Sequence, residues 1–223
     1  MPQTLYKLLS SHLSEHKLRM FDAVALQRTR YITLVLEDIY QAQNTSAIIR
    51  SAESWGIQDI HVIENHHTFH QHQRISKGAA DWLTFYRYNS EATNSHACFE
   101  HLKKKGYRIA VTSMDPCSIS PSEIALNQPL AIVMGTELSG VSETAKTFAD
   151  VTLKIPTWGF TKSLNVAAAA AAICHSITER IRDEKIQWSL SEEDQLLLKT
   201  EWAKKSISWS KYLIDMYETN EIK

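Results

Sequence analysis

The chain has 223 residues, 43% hydrophobic and 22% charged, with 24 Lys and Arg against 25 Asp and Glu for a formal net charge of −1. That composition belongs to a folded globular protein with a sizeable core and excludes a disordered chain, while near-zero charge excludes a global pull toward polyanions, so a nucleic-acid site must be a local patch. The longest nearly uncharged run around the alanines, Val166 to Ile177, is about twelve residues, short of the roughly 20 that span a bilayer, and no apolar stretch follows a basic start. The expectation is a cytoplasmic protein with no membrane span and no secretory signal.

The predicted elements alternate. From Leu5 to Leu26 apolar residues recur at helical spacing, predicting one or two helices. "YITLVLEDI" (31–39) is a β-branched run suited to a buried parallel strand, and a helix after Asn44 runs through Trp55 to a left-handed Gly56. "IQDIHVI" and "DWLTFYRY" read as strands, followed by a helix from about Glu91 to Lys105 closed by Gly106 and a strand at "YRIAVTS". "LAIVMG" (130–135) and "VTLKIP" (151–156) complete the strands, with a short helix between them and a helix through Ala167–Ala172 after them. Past Trp188 there is no strand signal, and Ser191 with Asp194 predicts a capped helical appendix. The pattern predicts an α/β domain over 30–184 with a mainly parallel sheet and helices on both faces, flanked by helical extensions at 1–29 and 185–223.

Several motifs are excluded by spacing. "GTELSG" (135–140) has the gap of a phosphate loop, but Val141-Ser142 stands where Lys and Ser or Thr are needed. No G-x-G-x-x-G follows the first strand. His66, His67, His70 and His72 crowd one predicted loop without Cys or an H-E-x-x-H pattern, so no metal is assigned. Cys98, Cys117 and Cys174 form no C-x-x-C pair, which argues against disulfides and zinc. The first 30 residues hold five Lys and Arg against two acids, the best local patch for a polyanion. Taken alone, Arg50 reads either as a surface arginine or as a functional one, and Asn44 either as a turn residue or as one pointing into a crevice at the strand end.

Three separated segments together resemble the SpoU/TrmH (SPOUT) RNA 2′-O-methyltransferases: "NTSAIIRSAESWGIQDIHVI", "LAIVMGTELSGVSE" and "IPTWGFTKSLNVAAAAAA" match the family's three motifs in order and spacing. The resemblance covers about residues 19–182, and "RTRYITLVLEDI", "KGAADWLTFYRY" and "TSMDP" look most like the branch that methylates a D-loop guanosine of tRNA. It implies a deep trefoil knot at the C-terminal side of the sheet, S-adenosylmethionine bound there, a homodimer and a tRNA substrate. By position, Arg50 falls on the family's catalytic arginine, Asn44 on the asparagine before it, Glu137 on the second-motif acid, and Ser163 and Asn165 on the third-motif pair. Thr112, Gly135, Ile155 and Leu164 fall where the family holds the cofactor, largely through backbone groups. Ala42 and Gln43 stand where TrmH proteins commonly carry a proline and a basic or His residue, Ala167 replaces a serine, and Trp158 and Phe160 enlarge the third-motif loop.

The resemblance makes Arg50 a general base, whereas guanidinium chemistry favours electrostatic stabilisation of the developing alkoxide. Ser163 and Asn165 are expected to orient Arg50 and the knot loop. The alternatives are the same chemistry on rRNA or on the tRNA anticodon, or an RNA-binding relative with weakened catalysis. For the C-terminal helices the expectation is packing through Trp202 and Trp209 rather than RNA contact through their lysines.

Overall fold

The computed structural model describes residues 2–90, 93–184 and 186–221. They form two compact units, one comprising Thr29–Trp188 and the other joining the described residues of Met1–Arg28 and Ser189–Lys223.

In the larger unit, runs of β-branched and aliphatic residues make strands that are buried on both faces. β1 (Ile32–Glu37) and β5 (Leu130–Met134) are buried along their whole length and pair in parallel at the centre, Leu34 opposite Ile132. β2 (Asp59–Ile63) and β3 (Thr84–Tyr88) extend the sheet beyond β1, while β4 (Arg108–Thr112) and β6 (Val151–Leu153) extend it beyond β5. Among the described residues the sheet has six strands, all paired in parallel, in the order β3-β2-β1-β5-β4-β6.

Alternation along the strands divides the core. Ile32, Leu34 and Leu36 of β1 point to one face, where they meet Ile48, Ile49 and Ala52 of α3 (Ala42–Ser54) and Ile173, Cys174 and Ile177 of α7 (Val166–Asp183). Val35 points to the other, with Val133 of β5, against Cys98, Phe99 and Leu102 of α5 (Asn94–Lys104) and Ala145 of α6 (Glu143–Phe148). Each fully buried Leu, Ile or Phe contributes about 1.5–3 kcal/mol, so a one-residue slip of β1 would lose both sets of contacts at once. The alanine run fits this arrangement: α7 packs on α3, and Ala170 is fully buried between them and the sheet.

Two predicted strands are shorter than their hydrophobic runs. In "DWLTFYRY" the chain turns first, with Lys77 and Gly78 at φ 48° and 80° and a 3₁₀ turn over Ala79–Trp82, so pairing begins only at Thr84. In "VTLKIP" the ladder to β4 ends at Leu153 because the Lys154 amide donates to Ile119 instead. Glu91, the expected helix start, lies outside the described residues; α5 runs from Asn94, and Gly106 follows it at φ 81°.

The smaller unit brings the chain ends together. α1 (Pro2–Ser10) and α2 (Glu15–Ala25) pack on α8 (Glu192–Ser206), which α9 (Ser210–Glu221) follows. Ser14 caps α2 through the Lys17 amide and Ser191 caps α8 through the Asp194 amide. Trp202 is buried edge-on to Phe21 at 5.4 Å and under the Arg28 guanidinium at 5.7 Å. The apolar face of the C-terminal helices is thus filled at Trp202 by the N-terminal segment, whereas Trp209 stays 47% exposed beside His12. No helix among the described residues is long and apolar enough to cross a membrane.

His61 on β2 is buried, stacks on Tyr86 at 4.7 Å and shares a 3.0 Å hydrogen bond with the Tyr88 hydroxyl. Desolvation, aided by the nearby charges of His101 and Lys105, lowers its pKa from 6.5 to about 3. The folded state therefore holds the ring neutral while the unfolded chain protonates it first, so this contribution is present above about pH 6.5 and is lost as pH falls toward about 3. In His61→Phe the urea midpoint should fall less steeply than in wild type across that window; parallel curves would remove His61 as an acid-labile element.

Candidate functional site

The chain leaves β1 for α3 on one face of the sheet and β5 for α6 on the other. Such a reversal between neighbouring strands opens a crevice at their carboxyl ends. A cleft of about 790 Å³ occupies the carboxyl-end side of β4, β5 and β6, lined by the segments 111–115, 134–141 and 152–166 together with α7. That volume lies within the range of small-molecule sites.

The segment after β5 is shaped by backbone crowding. A Cβ on Gly135 would lie 2.2 Å from the carbonyl carbon of Gly140, so no other residue fits there without moving the chain. Thr136 and Gly140 exchange backbone hydrogen bonds of 2.9 and 3.0 Å, Gly140 sits at φ 71°, and the Thr136 and Ser139 hydroxyls meet at 2.6 Å. The tight loop leaves Leu138 fully exposed and turns Glu137 toward α3 and α7.

Glu137 is where the three motif segments converge. Its Oε1 accepts hydrogen bonds from Asn44 Nδ2 at 3.0 Å and from Asn165 Nδ2 at 2.7 Å. Asn165 Nδ2 also donates to Asn44 Oδ1 at 3.0 Å, and Asn44 Nδ2 donates to Gln41 Oε1 at 3.1 Å. Asn165 Oδ1 accepts the Ala167 and Ala168 amides at 2.9 and 3.3 Å, capping α7. All four N–H donors of the two amides are therefore used, and the start of the alanine helix is tied to the start of α3 through one carboxylate oxygen. Asn44 lies in the first turn of α3 rather than in a turn before it, buried with its side chain facing the crevice.

Thr112, Gly135, Ile155 and Leu164 all line the cleft, as do Glu137, Ser163 and Asn165. The Thr112 hydroxyl is committed to the Val133 carbonyl at 3.0 Å, which leaves the backbone around it to face a ligand. Arg50 is not brought into this group. It is exposed on α3, six residues beyond Asn44 and so roughly 240° around the helix, with no ion-pair partner among the described residues.

Sequence reasoning missed Gln41, which completes the Asn44 amide, and the lysines Lys146, Lys154 and Lys162 at the cleft. The lysines stand on or after strand-end loops, the one signal that could have found them; nothing local marks Gln41. The cysteines offer no nucleophile in the core, since burial pushes the Cys174 thiol up to about 12 and raises Cys98 further. No group of three or more His, Cys, Asp and Glu among the described residues could hold a metal.

The profile of the SpoU rRNA Methylase family matches residues 31–175. A tRNA (guanosine(18)-2′-O)-methyltransferase of Borreliella burgdorferi is 35% identical over 195 residues, covering 87% of this chain and 88% of that one. Among solved structures, the Aquifex aeolicus TrmH/SpoU tRNA modifying enzyme superposes with a TM-score of 0.78 at 23% identity, covering 86% of this chain and 98% of that one. The methyltransferase AviRb of Streptomyces viridochromogenes, solved with AdoMet, has a TM-score of 0.60 at 23% identity, covering 71% and 60%. At those identities the superpositions establish the fold. The fold is the α/β fold of these methyltransferases, and the chain belongs to the SpoU rRNA methylase family.

The network makes a specific claim about Asn165. Asn165→Asp keeps the oxygen that caps α7 but sets a carboxylate where Nδ2 now lies 2.7 Å from Glu137. At about pH 8 this variant should unfold at a lower temperature than Asn165→Ala despite its cap, because the two carboxylates repel. Thermal unfolding of both variants checks it, and equal or higher stability of Asn165→Asp would remove the contact with Glu137 as a determinant.

Proposed function

We propose that this chain catalyses S-adenosylmethionine-dependent 2′-O-methylation of RNA, with a D-loop guanosine ribose of tRNA as the target. The observation that carries this reading is the Asn44–Glu137–Asn165 junction, which unites the three family motifs beside a cleft of cofactor size. It is supported by the guanosine-18 methyltransferase from Borreliella burgdorferi, matched over 88% of its length.

The cleft suits a nucleoside bearing a charged tail. Met134, Leu153 and Ile173 make an apolar floor, the crowded Gly135–Gly140 approach puts no side chain at either end of its loop, and Thr112 and Ile155 at strand ends and Leu164 before α7 bring polar backbone groups to the cleft. The bound cofactor supplies an activated methyl group on a sulfonium. What remains for the chain is to hold the ribose in line and to stabilise charge on its 2′-oxygen. Glu137 holds the amides of Asn44 and Asn165, and through them the crevice wall and the third-motif loop that carries Ser163. Arg50 stabilises the developing oxygen anion, since a guanidinium does not deprotonate in proteins. The hydroxyl proton passes to water at the exposed rim formed by Glu137, Ser163 and Asn165.

The reading extends to assembly and topology. Arg50 lies outside the cleft of its own chain, which fits a homodimer in which a second copy supplies the missing cation, and the slim, partly exposed alanine helix fits close approach of that copy. The family's trefoil knot fits the way the segments around 135–141 and 155–165 share one cleft. The unit Thr29–Trp188 would be the catalytic domain, the joined chain ends an accessory unit, and the working compartment the cytoplasm.

Incubation of tRNA with protein and cofactor, then nuclease digestion and mass spectrometry, should show one new 2′-O-methylguanosine in the D-loop. Arg50→Ala should lower the rate at least ~100-fold, while cofactor at 100 times its Kd still stabilises the protein by about 2.7 kcal/mol. Near-wild-type turnover by Arg50→Ala would remove the site assignment, and methylation of rRNA or the anticodon instead would move the target.

A further inference from the structure

The histidine-rich segment that follows β2 has no role in the cleft, yet it is a built surface. From Asn65 to Ala80 the sequence contains no Asp or Glu while carrying His66, His67, His70, His72, Arg74 and Lys77. All six of those side chains are exposed. Its backbone, by contrast, is held at several points. Asp38, at φ 52°, accepts the amides of Asn65, His66 and His67 on one carboxylate oxygen at 2.8, 2.8 and 3.3 Å. Glu64 accepts the Phe69 amide at 2.8 Å, and the Phe69 ring packs against the core beside Phe85. The His72 amide donates to Ser46 Oγ at 2.7 Å, after which α4 (Gln73–Ser76) packs on α3.

A merely solvated loop needs none of this fixation, and a left-handed aspartate costs backbone energy. What the anchors accomplish is to turn two neighbouring acids inward, Glu64 paired with Arg87 at 2.8 Å and Asp38 buried, whereas Asp81, just past the segment, stays exposed. The imidazoles are left facing outward, each with at least one N–H donor in either protonation state. No metal-binding group of three or more ligands occurs among the described residues, and no large exposed hydrophobic lies between Asn65 and Ala80. Outward N–H donors, two exposed cations with no carboxylate within the segment and no apolar anchor describe a surface for a polyanion rather than for a protein groove.

Its location names which polyanion. Ser46, which holds His72, lies one helical turn before Arg50 on the same face of α3. At the other end, Tyr40 is 71% exposed, stands against the His67 ring at 4.9 Å, and sits four residues before Asn44. The segment is therefore held against the helix that carries both Asn44 and Arg50, and Tyr40 adds an aromatic face of the kind on which unstacked bases rest. We infer that residues 65–77, with Tyr40, bind the phosphodiester backbone of the RNA substrate next to the target nucleotide, outside the methyl-transfer cleft. The inference rests on the RNA-methylation reading above.

Two variants of the full chain test it: His66, His67, His70 and His72 all changed to Ser, and the single exposed change Arg74→Glu, which leaves every backbone anchor in place. Binding of an unmodified tRNA transcript would be followed by fluorescence anisotropy across a salt series, alongside methylation kinetics and the cofactor-induced thermal shift. Both variants should bind tRNA more weakly, by ~10-fold for the quadruple change, with a shallower salt dependence for Arg74→Glu. KM for tRNA should rise while kcat at saturating tRNA and the cofactor shift stay at wild-type values. Unchanged tRNA affinity and KM in Arg74→Glu and the quadruple variant, or a loss confined to kcat, would overturn the inference while wild-type methylation left the enzyme reading standing. Absence of methylation by the wild type on any tRNA would overturn both.

Discussion

One carboxylate oxygen, Glu137 Oε1, ties its own loop to two segments that lie 93 and 28 residues from it in sequence on either side. Hydrogen bonds to an ionised acceptor are worth about 1.5–3 kcal/mol each when shielded from water and less at an exposed rim such as this. Their larger consequence is geometric. Asn165 uses its oxygen to start α7 and its nitrogen to reach Glu137 and Asn44, so the direction of the alanine helix and the shape of the crevice are set by a single side chain. A change there disturbs a helix start, a loop and a first turn of α3 together.

This junction is possible only because the sheet reverses its order between β1 and β5. Both strands are buried throughout and run parallel, so their following segments leave the same edge and separate to opposite faces. Gly135 sharpens the turn that follows β5: the absence of a Cβ lets Gly140 return against it, and the loop then delivers Glu137 to the crevice rather than to solvent alone. The apolar core thus positions the polar site and, through Met134, Leu153 and Ile173, floors the cleft beside it. The first turns of α3 are joined to the cleft through the hydrogen bond from Asn44 to Glu137 and to the histidine-rich segment through Ser46, which ties both features to a common helix.

The charge of the chain becomes intelligible at this level. Lys and Arg balance Asp and Glu almost evenly over the sequence, but folding sorts them. Glu64 and Asp38 turn inward as anchors, and Asp59 is buried beside Arg30. The cations and imidazoles of 65–77 remain outside. A neutral chain can in this way present a local polyanion surface, a point on which net charge is silent.

By itself the sequence determined the alternation of strands and helices, the burial of the central strands, the caps at Ser191 and Gly106, and the identity of the three motif segments. These are local properties, written in periodicity, turn residues and short-range spacing. It also singled out Asn44, Glu137 and Asn165, but as separate positions whose roles came from resemblance. Only the tertiary structure decided that these three share one hydrogen-bonded junction, that Arg50 stands apart from it on another side of α3, and that Trp202 is buried by the opposite end of the chain. It likewise decided that the clustered histidines form an anchored outward face. Such facts depend on which strand ends become neighbours and on which acids are consumed by distant backbone amides, and those pairings span from about 30 to 180 residues of chain, far beyond the reach of any local pattern.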